Sequence, residues 1–253
     1  MAFKDEARFY KIGGHEYPSV TTILQVLNKP ALVHWAANQE RKFFETAMLE
    51  IASQYPVIQA DHLLEKVIEA VTGVKAAEKE KQKAATIGKA AHARIEWRTR
   101  KLLGEDPGPE PLIPDAAELA VMAWEDWAKE VEFTPLSTER SVYCASCGYA
   151  GTLDFVAKVR GVVTLGDYKT GKAIYPESWL QNRAYRHAAK QQGLPSEAGV
   201  VLRLPKTLED PSFESQWVPE TDLGDFLAVF QAWRWQRKME GKTTGSMRKE
   251  VAR

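Results

Sequence analysis

The sequence predicts an α/β protein whose first part, residues 1–135, is mainly helical and whose second part, residues 136–253, contains a β-sheet. Two observations support this fold class. From Thr21 to about Trp127, apolar residues recur at helical spacing and clusters of β-branched residues are few. Beyond residue 138, short runs rich in valine, threonine and aromatic residues alternate with glycine-containing turns, which is typical of strands. The length of 253 residues suits one large domain, and we expect a single domain.

Four helices are expected in the first part. Pro30 fits a first helical turn, where the missing amide hydrogen is not needed, and apolar periodicity continues into the 40s. Asp61 opens a second, amphipathic segment, and Gly73 ends it. The remaining two helices are expected at about 75–101 and 114–131.

Five strands and two helices are expected in the second part. Pro176 followed by Glu177 is a typical helix start, and this helix should end near Gly193. Asp222 is suited to cap the last helix, because its side chain can accept from the free amides of the first turn. The predicted strands are 139–144, 150–157, 162–169, 199–204 and 214–218.

Composition excludes several classes of protein. No apolar run approaches the roughly 18 residues needed to span a membrane. The N-terminus MAFKDEARFYK lacks the apolar core of a secretion signal. Two cysteines are too few for a disulfide scaffold and suit a reducing compartment. We therefore expect a soluble cytoplasmic protein.

The net charge is zero, but the charges are segregated along the chain. Residues 79–101 hold eight Lys or Arg against two Glu, and residues 231–253 hold seven against two. Residues 105–139 hold ten acidic residues and one lysine. Such segregation can give a neutral protein a basic face, or it can reflect separate solvated helix faces. Charge alone leaves nucleic-acid binding open.

The segment GDYKTGK, residues 166–172, has two interpretations. As G-x-x-x-x-G-K it fits a glycine loop that cradles nucleotide phosphates, but such a loop continues with Ser or Thr and enters a helix directly. Here Ala173 follows, and a helix is expected only from Pro176. As D-x-K the segment places Asp167 and Lys169 on one face of a strand, because side chains alternate along a strand. The strand interpretation is favoured.

A second carboxylate lies in the preceding predicted strand. Asp154 ends the run G-x-x-D, and strand alternation places it opposite the face of Leu153 and Phe155. If this strand and the next form a hairpin, Asp154 and Asp167 approach each other. Two close, half-buried carboxylates repel unless a cation neutralises them, and carboxylate oxygens suit Mg²⁺ or Mn²⁺.

Two pairs of polar residues at i, i+4 spacing lie on predicted helices. His92 and Glu96 share a helix face four residues after Gly88, and Gln181 and Tyr185 share a face of the helix that follows D-x-K. Each pair alone would be an ordinary surface or packing contact. The two pairs become informative when their order along the chain relative to the two carboxylates is considered.

The four pieces occur in the order G-x-x-x-H, G-x-x-D, D-x-K and Q-x-x-x-Y. This order resembles the RecB-type branch of the PD-(D/E)XK nuclease superfamily. The segment YPSVTTIL at residues 17–24, followed by Leu32 and Trp35, looks like the N-terminal segment of phage-encoded and mitochondrial genome maintenance exonucleases. The resemblance spans roughly residues 8–190.

The resemblance implies a mixed central sheet flanked by helices, with the site at one end of the strands. It implies that Asp154 and Asp167 bind Mg²⁺ or Mn²⁺, with the Tyr168 backbone carbonyl as an additional ligand. His92 is implied as a further ligand, one that favours manganese. Lys169 would position or activate the attacking water and stabilise charge on the phosphate.

The resemblance also assigns supporting roles. Gln181 and Tyr185 would orient the metal site or contact DNA. Some relatives also use an acid from the helix that carries the histidine, and others do not; here this acid is Glu96, whose i, i+4 spacing suits a hydrogen bond to the second ring nitrogen of His92. Relatives with an iron–sulfur cluster use four cysteines, whereas this chain has only Cys144 and Cys147, so no cluster is expected. This C-x-x-C would make half a zinc site, but no second ligand pair is evident, and we interpret it as a turn with two incidental thiols.

The expected activity is that of a metal-dependent deoxyribonuclease that hydrolyses phosphodiester bonds. The resemblance further implies an exonuclease acting on single-stranded DNA or DNA ends in DNA processing, recombination or repair. Its partners would be DNA and recombination or replication proteins, and no association with a membrane is expected. Three alternatives stay open: another nuclease role (endonuclease, double-strand-specific exonuclease or CRISPR-associated end-trimming enzyme), an inactive DNA-binding module, and a nucleotide hydrolase, which Ala173 disfavours.

Overall fold

A computed structural model describes residues 7–27, 30–55, 57–207, 210–219 and 222–245. This part of the chain forms seven helices and seven strands. The helices are α1 (Val20–Leu24), α2 (Pro30–Gln54), α3 (Ala60–Val71), α4 (Ala76–Leu102), α5 (Asp115–Glu130), α6 (Glu177–Gln191) and α7 (Leu223–Met239). The strands are β1 (Phe9–Ile12), β2 (His15–Pro18), β3 (Thr134–Cys144), β4 (Tyr149–Val159), β5 (Val162–Lys169), β6 (Ala198–Arg203) and β7 (Glu214–Trp217).

The central sheet has five strands in the order β3-β4-β5-β6-β7. Neighbouring strands are antiparallel except β5 and β6, which are parallel. A parallel pair needs a crossover connection, and α6 provides it here. The expected mixed α/β architecture, with a sheet flanked by helices and a helical N-terminal part, is confirmed.

Helices cover both faces of the sheet, because both faces carry apolar side chains. On one face, α1, α6 and α7 bury side chains such as Ile23, Ala188 and Phe230 against β3, β4 and β5. On the other face, α5 and the part of α4 from residue 87 onward pack residues such as Ile95 and Trp124 on the sheet. The sheet is thus an interior layer, and polar groups within it need partners.

The chain divides into two compact units, residues 1–27 with 87–253, and residues 28–86. The second unit contains α2, α3 and the first turns of α4. Within it, the Glu40 carboxylate accepts hydrogen bonds from the backbone amides of Ala76 (3.4 Å) and Ala77 (3.0 Å). A carboxylate at free helix amides is favourable there, because these amides lack partners within the helix.

All helices and strands predicted above are present, and the structure adds β1, β2 and α1. β1 and β2 form an antiparallel hairpin that pairs Ile12 with His15. Its turn consists of Gly13 and Gly14, with φ of 57° and 79°, a conformation that glycine adopts without strain. The two adjacent glycines therefore indicate a hairpin, which lies before Thr21, where the expected helical pattern begins.

None of the described helices is both long and apolar enough to cross a membrane.

Candidate active site

The two predicted carboxylates meet in a hairpin of the central sheet. β4 and β5 pair antiparallel with Phe155 opposite Gly166, and extending this register by one residue places Asp154 opposite Asp167. The Asp154 carboxylate accepts a hydrogen bond of 2.5 Å from the Tyr168 backbone amide. The predicted hairpin is confirmed, and it fixes both acids at one end of the strand pair.

The GDYKTGK segment is the end of a strand, as favoured above. Gly166 lies within β5 between β4 and β6, and a Cβ there would overlap the ring of Phe155. After Lys169 the chain continues without helix until Glu177, where α6 begins. The backbone amides of this segment therefore do not open a helix toward a phosphate group, as a nucleotide loop requires.

Asp167, Lys169 and the Q-x-x-x-Y pair form one hydrogen-bonded network. The Lys169 ammonium lies 2.5 Å from Asp167 Oδ2 and donates to Gln181 Oε1 at 2.9 Å. Gln181 Nε2 donates to Asp167 Oδ1 at 2.9 Å and to the Tyr185 hydroxyl at 3.3 Å. Asp167 and Lys169 therefore face α6 together, as strand alternation predicted.

Two motif glycines lie at points of close packing around this network. A Cβ on Gly151 would overlap the Tyr185 ring, because α6 lies directly on β4 at this point. A Cβ on Gly88 of α4 would lie 2.5 Å from the Thr170 hydroxyl, just after the D-x-K strand. The first residues of G-x-x-x-H and G-x-x-D thus allow two helices to approach the site.

A third carboxylate, Glu139, completes a cluster that sequence reasoning missed. One ligand-type atom from each of His92, Glu139 and Asp154 lies within 4.8 Å of the others. Thr138 pairs with Phe155 and Arg140 with Leu153, so Glu139 lies directly opposite Asp154 on the neighbouring strand. The sequence contains an acid at position 139, but only the β3–β4 pairing shows that it lies opposite Asp154.

The backbone is irregular where these acids face each other. Glu139 has φ of 45°, in the left-handed region that non-glycine residues rarely adopt. Such strained residues concentrate at functional sites. The expectation that Leu153 and Phe155 share a face is wrong, since Leu153 packs in the core under α6 and Phe155 in the core under α4 and α5. The left-handed backbone of Glu139 lies opposite this change of face.

The acidic groups of the cluster lack enough nearby positive charge to balance them, and their pKa values are raised. Burial, followed by the nearby charge of Asp167, raises the pKa of Asp154 well above its ordinary range, although the Tyr168 amide opposes the shift. Burial and then Glu96 raise the pKa of Glu139 to about 7. Burial lowers the pKa of His92 to about 4, so its imidazole is neutral at physiological pH.

These properties fit a divalent cation. A neutral imidazole offers a lone pair, and carboxylates that repel one another become stable when a cation lies between them. Among the described residues, no donor is aligned in hydrogen-bond geometry with the buried Asp167 Oδ2, whose close partner is the Lys169 ammonium. His92, Glu139 and Asp154 supply the mixed nitrogen and oxygen donors that Mn²⁺ accepts.

Two further predicted residues have other partners in the structure. The Glu96 carboxylate accepts from Arg100 on the same helix at 2.8 Å. The Tyr168 hydroxyl accepts from Trp124 Nε1 at 3.0 Å, and its ring lies edge-on to His92 with centroids 5.5 Å apart. Support of His92 by Glu96 and metal ligation by the Tyr168 carbonyl both stay predictions.

Replacing Glu139 with glutamine should stabilise the metal-free protein. The pKa of Glu139 is raised to about 7, so its ionisation disfavours the folded state as pH rises. The neutral amide removes this penalty, and we expect a gain of about 1–2 kcal/mol near pH 8 that vanishes near pH 4.5. Thermal unfolding in the presence of a chelator measures it.

The control is Glu65→Gln on the exposed surface of α3, which should leave the melting temperature unchanged at both pH values. A Glu139→Gln protein that is less stable than the wild type at the higher pH would mean that Glu139 is held by favourable contacts. Saturating Mn²⁺ should reverse the order, since the wild type has one more ligand to gain from binding.

Comparison with known proteins gives little similarity. No protein-family model matches the chain, and no curated protein matches it. Solved structures with partial similarity include one described as "Crystal structure of SSO0001", with 12% identity and a TM-score of 0.31 over 58% of this chain and 75% of the other. Another, described as a "Putative exonuclease" from Eubacterium rectale, has 12% identity and a TM-score of 0.35 over 63% and 72%. Values this low assign neither residues nor activity.

Proposed function

We propose that the protein is a metal-dependent nuclease that hydrolyses phosphodiester bonds in DNA. The observation that carries this proposal is that two sets of polar side chains converge at one end of β4 and β5. One is the cluster His92, Glu139 and Asp154, and the other is the network built on Asp167 and Lys169. Carboxylates with raised pKa beside a fixed lysine are suited to a cation and a phosphate at the same point.

Each group has a role in this proposal. His92, Glu139 and Asp154, together with Asp167, would hold Mg²⁺ or Mn²⁺, which when bound would neutralise phosphate charge and acidify a water molecule. The Lys169 ammonium would donate to the scissile phosphate or orient the attacking water. Gln181 fixes this ammonium, because its amide oxygen accepts from Lys169 while its amide nitrogen donates to Asp167.

The narrower assignment is an exonuclease acting on single-stranded DNA or DNA ends. It is supported by the order of G-x-x-x-H, G-x-x-D, D-x-K and Q-x-x-x-Y, which resembles RecB-type nucleases of the PD-(D/E)XK superfamily. The YPSVTTIL segment, which looks like the N-terminal segment of phage-encoded and mitochondrial genome maintenance exonucleases, adds to this support. Roles in recombination, repair or replication belong to the same proposal.

Digestion of end-labelled DNA tests the proposal. Single- and double-stranded DNA labelled at the 5′ or 3′ end is incubated with Mg²⁺, Mn²⁺ or a chelator. We expect products released from ends in either metal and none with the chelator. Cleavage of circular single strands would identify an endonuclease, binding without cleavage an inactive module, and ATP hydrolysis without DNA a nucleotide hydrolase.

Replacing His92 with alanine should reduce cleavage in both metals, with partial recovery at high Mn²⁺. Imidazole is a softer ligand than carboxylate and favours Mn²⁺ over Mg²⁺, so the wild-type enzyme should work better with Mn²⁺. Initial rates across a titration of each metal measure both effects. Glu96→Gln should be milder, since it leaves the three clustered ligands in place.

His62→Ala, an exposed histidine on α3, is the matched control and should keep wild-type rates. Unchanged rates in the His92→Ala protein with both metals would show that the histidine only packs against Tyr168. The metal site would then consist of carboxylates alone.

A further inference from the structure

Two thiols and an imidazole converge at the turn between β3 and β4, away from the carboxylates. One ligand-type atom from each of Cys144, Cys147 and His187 lies within 4.8 Å of the others. Cys147 Sγ is 3.9 Å from His187 Nε2. His187 comes from α6 and the cysteines from the hairpin, so the tertiary fold brings these three groups together.

The turn is shaped to present both sulfur atoms. Cys144 ends β3, and the Gly148 amide donates to the Cys144 carbonyl at 2.8 Å. Gly148 has φ of 86°, which glycine adopts without strain and which closes the turn before β4. The Cys147 amide points at Cys144 Sγ from 3.2 Å, and an amide donor at this position stabilises a negatively charged sulfur.

The surroundings of Cys147 disfavour a thiolate that has no cation beside it. Burial raises the pKa of Cys147 to about 11, so without a cation the sulfur is protonated at neutral pH. Burial, Arg183 and Lys190 lower the pKa of His187. The imidazole and two thiols form a set of donors whose thiols release their protons when zinc binds.

We propose that Cys144, Cys147 and His187 bind one zinc ion, with a water molecule as the fourth ligand. Two sulfurs and one nitrogen are typical zinc donors, whereas magnesium and manganese prefer oxygen. Cys144 is buried, while Cys147 and His187 are partly exposed, so water reaches the open position. The Gln191 amide lies 2.9 Å from His187 Nε2 on an exposed side chain, so a bound ion can displace it from this nitrogen.

This proposal replaces the interpretation of the C-x-x-C as incidental. The missing ligand is a histidine 40 residues away in the chain, which spacing alone did not reveal. The ion joins the β3–β4 turn to α6, the helix that carries Gln181 and Tyr185. The zinc site does not depend on the proposed nuclease activity.

Cobalt substitution tests the site. Metal-free, reduced protein is titrated with Co²⁺, and we expect thiolate-to-cobalt charge-transfer bands that saturate at one ion per chain and disappear when Zn²⁺ is added. The chain has only two cysteines, so such bands come from Cys144 and Cys147 and not from the carboxylate cluster. Zn²⁺ should also raise the melting temperature of the wild-type protein.

Variants separate the ligands. Cys147→Ser should abolish the charge-transfer bands, and His187→Gln should weaken Co²⁺ binding and remove the thermal stabilisation by Zn²⁺. His62→Gln is the matched control, and Asp154→Asn should keep the bands. If Cys147→Ser does not fold, His187→Gln alone decides. Absence of bands in the wild type, unchanged Co²⁺ binding by His187→Gln, or a Cys144–Cys147 disulfide in place of metal would overturn the proposal.

Discussion

Replacing Asp167 with asparagine is expected to reduce DNA cleavage at least about 100-fold while leaving the fold intact. The change removes one charge and keeps the shape of the side chain. It also breaks the network whichever way the amide turns, because an NH₂ group would face either the Lys169 ammonium or the Gln181 amide nitrogen. A bound cation and Lys169 would therefore both lose the carboxylate with which they interact.

Cleavage rates at saturating metal, with circular dichroism as the measure of folding, test this expectation. Asp126→Asn makes the same chemical change on the exposed surface of α5 and should keep wild-type activity. Full activity of a folded Asp167→Asn protein at ordinary metal concentration would remove the proposed site.

Replacing Lys169 with alanine should lower turnover by about 100-fold or more, as expected for a group that acts on the reacting atoms. Metal affinity should be kept or increased. The ammonium lies 2.5 Å from Asp167 Oδ2 and competes with a cation for this oxygen, so removing it makes the carboxylate more available. This variant separates chemistry from metal binding.

Calorimetric titration with Mn²⁺, together with single-turnover cleavage, measures the two effects. Lys158→Ala, on an exposed position of β4, is the matched control and should change neither. Loss of metal binding in parallel with activity would contradict the assigned role, because it would place Lys169 in the structure of the metal site instead of in the reaction.

The sheet and its hairpin were predictable because local patterns determine them. Strand alternation placed Asp167 and Lys169 on one face, and their shared contact with Gln181 confirms it. The turn at Arg160 and Gly161, both with positive φ, closes the β4–β5 hairpin around the predicted position. In this part of the protein, neighbouring residues in the chain are neighbours in the fold.

What the sequence did not reveal depends on long-range register. Glu139 faces Asp154 only because β3 pairs with β4 in one register, and its left-handed backbone has no local indication. The packing of Leu153 and Phe155 in the cores on opposite faces of the sheet also has no local indication. His187 lies beside Cys147 only through the packing of α6 on the hairpin. The alternation of side chains along a single strand indicates neither the pairing register of two strands nor the packing of a helix on them.

The order of the site-forming elements along the chain has a consequence for folding kinetics. β4, β5 and α6 follow one another directly, so the Asp154–Asp167 pair and its network assemble through short loops with a small closure entropy. His92 comes from α4, about 60 residues before Asp154, and its arrival requires a much longer loop to close. During folding, the acidic side of the site should therefore form first, with the imidazole arriving when α4 docks on the sheet.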